Sequence, residues 1–240
     1  MKITDNGFVT SINKHGENFL IINILSEHNG LVKGLCRNSK KRSIVLLENV
    51  NFDLKKKNFD SLGFIKLETN FNFNSFEDKF FTSLIKAAVS ELCSIYIVEG
   101  DKNSEIYLNL KDFLNYLNLA RDDSEKDICK NFIFWQLGLL RDIGFGLDLT
   151  SCAVSGTKTD LSHLSPKTGR AVNANYAGKY LKKLFKLPKF LVHQNIEVNN
   201  EDIFQALKIT EFFFSNASVF LNTYRQKKLI FCEEIKKKFV

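Results

Sequence analysis

Apolar and polar positions alternate along the first third of the chain and then change period. Runs at 7–12, 18–25 and 30–36 have the two-residue repeat of half-buried strands. They are separated by Asn13-Lys14-His15-Gly16-Glu17 and by Glu27-His28-Asn29-Gly30, whose His-Gly and Asn-Gly pairs favour turns. Two later runs, 50–54 and 64–71, complete about five strands before residue 75. Five short strands fit a small closed barrel such as an OB-fold, and an SH3-like barrel fits the same pattern.

After Asn74 the repeat becomes helical. Phe80, Phe81, Leu84, Ile85, Ala88, Val89, Leu92 and Cys93 fall three or four residues apart, with Ser75 as the expected N-cap before Glu77 and Asp78. A second helix is expected over 106–119, with Tyr107, Leu110, Phe113, Leu114 and Leu117 on one side. A third covers 128–143 and ends at Gly144, and a fourth covers 203–224. Both prolines, Pro166 and Pro188, fall within 151–190, which marks that segment as a region of turns. The expected class is therefore α+β: a barrel over 1–76, a helical domain built from 77–150 and 191–240, and a small module inserted at 151–190.

Composition narrows the reading. With 240 residues, 44% hydrophobic and 25% charged, the chain is long and apolar enough to bury a core. It has no apolar run of about 18 residues and no apolar stretch at its N-terminus, so the expectation is a cytoplasmic protein with no membrane span. Five scattered cysteines do not form a disulfide framework.

The net charge of +7 is unevenly spread. Residues 30–66 hold nine basic side chains against three acidic, and 158–189 hold eight against one, whereas 91–150 hold six against eleven. Lysine-rich codon bias raises the charge everywhere and does not sort it, so the two positive segments point to a polyanion-binding surface. The expected nucleic-acid contacts in the barrel are Lys33, Arg37, Lys40, Lys41 and Arg42 on one strand and loop, with Lys55, Lys56 and Lys57 extending the track. In the second segment they are Arg170, Lys179, Lys182 and Lys183, the three lysines on an amphipathic helix whose outer face is cationic. Phe8, Phe19, Phe52, Phe64, Phe71 and Phe73 offer stacking partners for bases, but most of them read as core at strand periodicity, and none is singled out as a base-stacking platform.

An enzyme is not expected. The chain lacks a P-loop, HExxH, GxSxG and DxDxDG, and its four histidines are far apart in sequence. Asp122-Asp123 and Glu233-Glu234 read as solvated charges at helix ends. Gly144-Phe145-Gly146 follows a helix and is no dinucleotide fingerprint.

One long stretch carries a resemblance. An apolar helix leads into Gly144-Phe145-Gly146-Leu147-Asp148-Leu149, followed by Cys152, Gly156, Leu164-Ser165-Pro166-Lys167-Thr168-Gly169-Arg170 and then Lys186-Leu187-Pro188-Lys189-Phe190-Leu191. This order resembles the RecO family of bacterial recombination mediators, over nearly the whole chain. The resemblance favours the OB-fold and identifies 151–190 as a module derived from a zinc finger. It implies a non-enzymatic role in DNA repair through the RecF pathway: binding single- and double-stranded DNA, annealing complementary strands, and helping RecA displace single-stranded DNA-binding protein (SSB) together with RecR. A nucleoid-associated cytoplasmic location goes with that role.

Two departures from the family pattern matter. Many RecO-like sequences carry two Cys-x-x-Cys pairs in the module; here the matching positions are Cys152, Ser155, Asn173 and Tyr176, and one thiolate with nearby His163 does not close a tetrahedral zinc site. The expectation is no zinc and no other cofactor. RecO proteins are also implicated in holding the acidic, hydrophobic SSB tail on their helical domain. The run Phe132-Ile133-Phe134-Trp135-Gln136-Leu137 lacks the Arg and Glu often found there. Phe134, with Arg121 or Arg141 as the flanking cation, is the expected tail site, and Trp135 is expected in the core. The alternative to the family reading is a generic basic OB-fold module for RNA, and a divergent nuclease is a third, unsupported by any carboxylate cluster.

Overall fold

The computed structural model describes residues 1–38, 43–58, 61–69, 79–193, 195–221 and 229–240. They form two compact units, Met1–Leu108 and Asn109–Val240.

In the first unit, β1 (Lys2–His15), β2 (Phe19–Ser26), β3 (Gly30–Arg37), β4 (Asn49–Lys55) and β5 (Gly63–Thr69) close into a barrel in the order β1-β2-β3-β5-β4. All pairings are antiparallel except β3 with β5. This is the OB arrangement, so of the two barrels that fit the strand pattern the OB-fold is the one formed. β1 is longer than its alternating run because Lys2–Phe8 pair with β4 while Gly7–His15 pair with β2. A bulge between Val9 and Ser11 bends the strand so that it can serve both neighbours. Val9, Ile22, Ile24, Val32, Val50, Phe52, Leu54 and Ile65 point inward and are all nearly inaccessible to solvent.

Asp5 locks the β2–β3 turn. Its carboxylate accepts hydrogen bonds from the Ser26 hydroxyl, the His28 backbone at 3.1 Å, His28 Nδ1 at 3.0 Å and Asn29 Nδ2 at 2.7 Å. Gly30, in that turn, has φ +66°, and a Cβ there would lie 1.9 Å from the Asp101 carbonyl oxygen. Only glycine fits both the left-handed backbone and the close approach. Helix α1 (Phe80–Tyr96) packs on the barrel, where Ser90 Oγ donates to the Thr10 carbonyl at 2.6 Å. It begins at Phe80 after Lys79, and the expected Ser75 cap lies outside the described residues.

Helix α2 (Ser104–Leu119) enters the second unit, which continues with α3 (Glu125–Asp142). Ser124 caps α3 by accepting from the Asp127 amide at 3.2 Å, with Glu125 and Asp127 at its positive end and Arg141 in its last turn. Gly144, at φ +89°, ends it as the sequence predicts. Trp135 is buried and stacks on both Phe113 and Phe132, at 5.7 and 5.8 Å, and those two rings lie 6.2 Å from each other. The small module is a three-stranded sheet of β6 (Leu161–Leu164), β7 (Ala171–Asn173) and β8 (Phe185–Lys186), with β6 central. The amphipathic helix expected around 176–186 is not one helix. A single turn, α4 (Ala174–Ala177), stops at Gly178, whose φ of +42° redirects the chain, and Gly178–Lys183 is a 3₁₀ segment. Helices α5 (Asn200–Phe220) and α6 (Ile230–Lys237) complete the unit, and Thr210 of α5 donates to buried Gln136 of α3 at 2.9 Å.

Candidate nucleic-acid interface and helical groove

The outward positions of β2, β3, β5 and β4 follow directly from the inward set. Phe19 pairs with Arg37, Ile21 with Leu35, and Asn23 with Lys33. Leu35 then pairs with Phe64, which pairs with Lys55, while Lys66 pairs with Asp53. Because side chains one pairing apart share a face, Lys33, Arg37, Lys55 and Lys66 form a cationic belt around Ile21, Leu35, Phe19 and Phe64. All four cations are exposed. The face is not purely basic: Lys66 is bonded to Glu68 at 3.0 Å, and Asp53 accepts from Thr4 Oγ1 at 2.5 Å. That hydrogen bond holds Asp53 below the usual carboxylate range despite slight burial, with Lys2 and Lys66 adding to the effect.

Lys57 is exposed in the β4–β5 connection, but Lys56 is not available there. Its side chain is 7% exposed and its ammonium bonds Glu99 at 2.9 Å. Lys40, Lys41 and Arg42 lie outside the described residues. The outward pairing of Phe19 and Phe64 was not drawn from the sequence, although the alternation of Phe64 with Gly63 and Ile65 contains it. A groove of about 730 Å³ is lined by outward Phe19, Leu35, Arg37, Phe64 and Lys66 together with Cys36, Ile44, Ile65 and Leu67 from the core side of the barrel.

In the small module, Arg170 bonds Asp148 at 3.1 Å, and Lys182 and Lys183 are exposed on the 3₁₀ segment that also carries Lys179. Tyr176, Tyr180 and Leu181 are exposed beside them. The four positions that match zinc ligands do not fit zinc. Cys152 Sγ is buried and accepts backbone N–H groups from Val154 at 3.4 Å and Asn173 at 3.3 Å. Burial raises the thiol, but these bonds and those from Ser155 outweigh it and bring it down to about 7. The Asn173 side chain is committed to the Thr159 carbonyl and the Asn175 amide, both at 2.9 Å, and Tyr176 faces solvent. Zinc needs four converging soft or borderline ligands, and hydrogen bonds fill that role here. Among the described residues, one trio brings possible ligands together, Asp5, Glu27 and His28. There the Asp5 oxygens are already occupied by the turn-locking donors.

A second groove, of about 800 Å³, lies in the helical unit. One face of α3 supplies Asp127, Lys130, Phe134, Leu137 and Arg141, and Leu147 and Leu149 close the side. Phe134 is half-buried, its ring edge-on to Phe190 at 5.9 Å. Arg141 Nε bonds Asp142 at 2.8 Å. The groove thus brings Phe134 and Arg141 together; Arg121 is exposed but is not part of its lining.

A closed five-stranded OB-type barrel followed by helices and a small three-stranded module defines a two-part α+β protein with a basic outer barrel face. Residues 78–218 match the family description "Recombination protein O C terminal". The chain is 32% identical over 245 residues to the DNA repair protein RecO of Rickettsia bellii (strain OSU 85-389), covering 99% of this chain and 98% of the relative. It is equally similar, 32% over 239 residues, to that of Rickettsia canadensis (strain McKiel), covering 98% and 97%. The chain belongs to the RecO family of DNA repair proteins. No described helix is long and apolar enough to cross a membrane.

Proposed function

We propose that this protein is a non-enzymatic recombination mediator that binds single- and double-stranded DNA, anneals complementary strands and, with RecR, helps RecA load onto SSB-coated DNA. Its working parts are the barrel at 1–76, the helical domain at 77–150 and 191–240, and the module at 151–190. The observation that carries the reading is the grouping of Lys33, Arg37, Lys55 and Lys66 on one outward face of adjacent strands. Cations there neutralise phosphates and release counterions, giving affinity without base preference. Two strands held near such cations repel each other less, which speeds their pairing. Arg170, Lys179, Lys182 and Lys183 supply a second track, and Lys40, Lys41 and Arg42, outside the described residues, are further candidate contacts on sequence grounds. The groove on α3 sets Phe134 beside Leu137, Leu147 and Leu149, with Lys130 and Arg141 as cations and Asp123 and Asp127 as acids in its lining; the apolar patch with two cations is our candidate for a hydrophobic tail with acidic residues, as on SSB.

The test is annealing of bare complementary DNA strands by the purified chain, alongside binding to oligo(dT) and oligo(rU). Annealing above the spontaneous rate, with oligo(dT) bound at least as tightly as oligo(rU), supports the reading. No annealing, with tighter binding to the RNA, replaces it with an RNA-binding module.

A further inference from the structure

Phe64, the second residue of β5, is 59% exposed, although its two neighbours, Gly63 and Ile65, are buried. A phenyl ring left in water on a rigid sheet forfeits the favourable free energy of burial; one such ring is ordinary on a surface, and a grouped set of them marks a binding site. Phe64 does not stand alone. The Phe19 ring, two strands away across Leu35, meets it edge-to-face with centroids 6.1 Å apart and planes at 64°. The two rings line the barrel groove with Asn18, Leu35, Arg37 and Lys66. A groove of about 730 Å³ is within the range of roughly 300–1,000 Å³ common for ligand pockets. Apolar floor and cationic rim are the two halves of a single-strand site, the rings for bases and the cations for phosphates. The location agrees, since OB-folds hold oligonucleotides on the β2–β3 face beside the β1–β2 and β4–β5 loops. Phe19 begins β2, and Phe64 lies on β5, which Arg37 of β3 and Lys55 of β4 flank.

We infer that Phe19 and Phe64 form a base-stacking platform for unpaired bases of single-stranded DNA, an inference that rests on the DNA-binding reading above. A duplex keeps its bases stacked on each other and offers no π-face to Phe64, so the platform selects single strands while the cations serve both forms. Stacking through the faces leaves the pairing edges of the bases directed away from the ring. A strand bound in this way remains ready to pair with its complement.

The experiment compares full-length wild type, Phe64→Ala, Phe19→Ala and Phe64→Trp in binding to oligo(dT) and to a blunt duplex over a range of salt. Each alanine variant is expected to weaken oligo(dT) binding by roughly five- to a hundredfold, the loss typical of one stacked base. Duplex affinity and the salt slope stay at wild-type values, because no phosphate contact is removed. Phe64→Trp keeps the ring, retains oligo(dT) affinity and shows emission quenching on binding single strands but not duplex. The inference is overturned if oligo(dT) affinity is unchanged in both alanine variants, if duplex binding falls equally, or if the tryptophan shows no quenching. Wild type that binds neither polymer overturns the DNA-binding reading itself, an outcome distinct from those three.

Discussion

Replacing Lys33, Arg37 and Lys55 together with alanine removes three exposed cations from one outward barrel face and leaves the buried alternation intact. If each neutralises one phosphate, the slope of log affinity against log salt for a single strand becomes shallower by about 0.7 per contact, or about 2 in total. Between 50 and 200 mM salt, a fourfold change, the wild type then loses roughly fifteenfold more affinity than the variant does. Lys56 is the internal control. Its ammonium, 7% exposed and bonded to Glu99 at 2.9 Å, cannot reach a phosphate without breaking that bond. Lys56→Met leaves the slope unchanged and lowers thermal stability. The assay is fluorescence anisotropy of a labelled oligo(dT) at several salt concentrations. A triple variant with the wild-type slope, or a Lys56→Met slope lowered as much as that of a surface lysine, refutes the assignment of this face.

Phe134→Ala combined with Arg141→Glu is expected to weaken binding of an SSB-tail peptide by on the order of tenfold or more while bare-strand annealing proceeds as in wild type; equal tail affinity places the tail elsewhere. Burial pushes the Asp5 carboxyl up, but hydrogen bonds from Ser26, His28, Asn6 and Asn29 outweigh it and hold it at about 2, below the ordinary 3.8. The charged form is thus favoured in the folded state: its contribution is present above pH 4 and is lost as pH falls towards 2. For a side chain 7% exposed this amounts to about 2 kcal/mol or slightly more. Its hydrogen bond to Asp5 raises His28, whose contribution is present at acid pH and fades as pH rises past its ordinary 6.5. Thermal melts of wild type and Asp5→Asn from pH 3 to 8 check both signs; the variant flattens the acid limb, and an unchanged limb contradicts the lock. Protein purified without chelator is expected to contain far less than one zinc per chain by metal analysis, and a stoichiometric zinc content overturns the account of the module.

The strands and helices were legible because burial in them follows one period at a time. Val50, Phe52 and Leu54 point inward on β4, and α1 repeats Phe81, Ile85, Ala88 and Leu92. The first half of β1 was not legible, since Thr4, Asp5 and Asn6 carry polar side chains whose bonds are made to residues distant in sequence. The helix expected around 176–186 failed at Gly178, where one positive φ outweighs the apolar spacing. In the candidate site, alternation specifies which cations share the outward face of a strand. It cannot reveal that Lys56 is bound to Glu99, because that partner is supplied by the fold. The α3 groove was legible in two residues, Phe134 and Arg141. Its apolar wall comes from Leu147 and Leu149, beyond the turn at Gly144.

The central claim is that one chain couples DNA capture on the barrel to SSB through the helical groove. Its most direct test is annealing of complementary strands pre-coated with cognate SSB, run with intact SSB and with SSB lacking its acidic tail. The account predicts accelerated annealing with intact SSB and its loss when the tail is removed. Equal acceleration with both forms, or none with either, contradicts it.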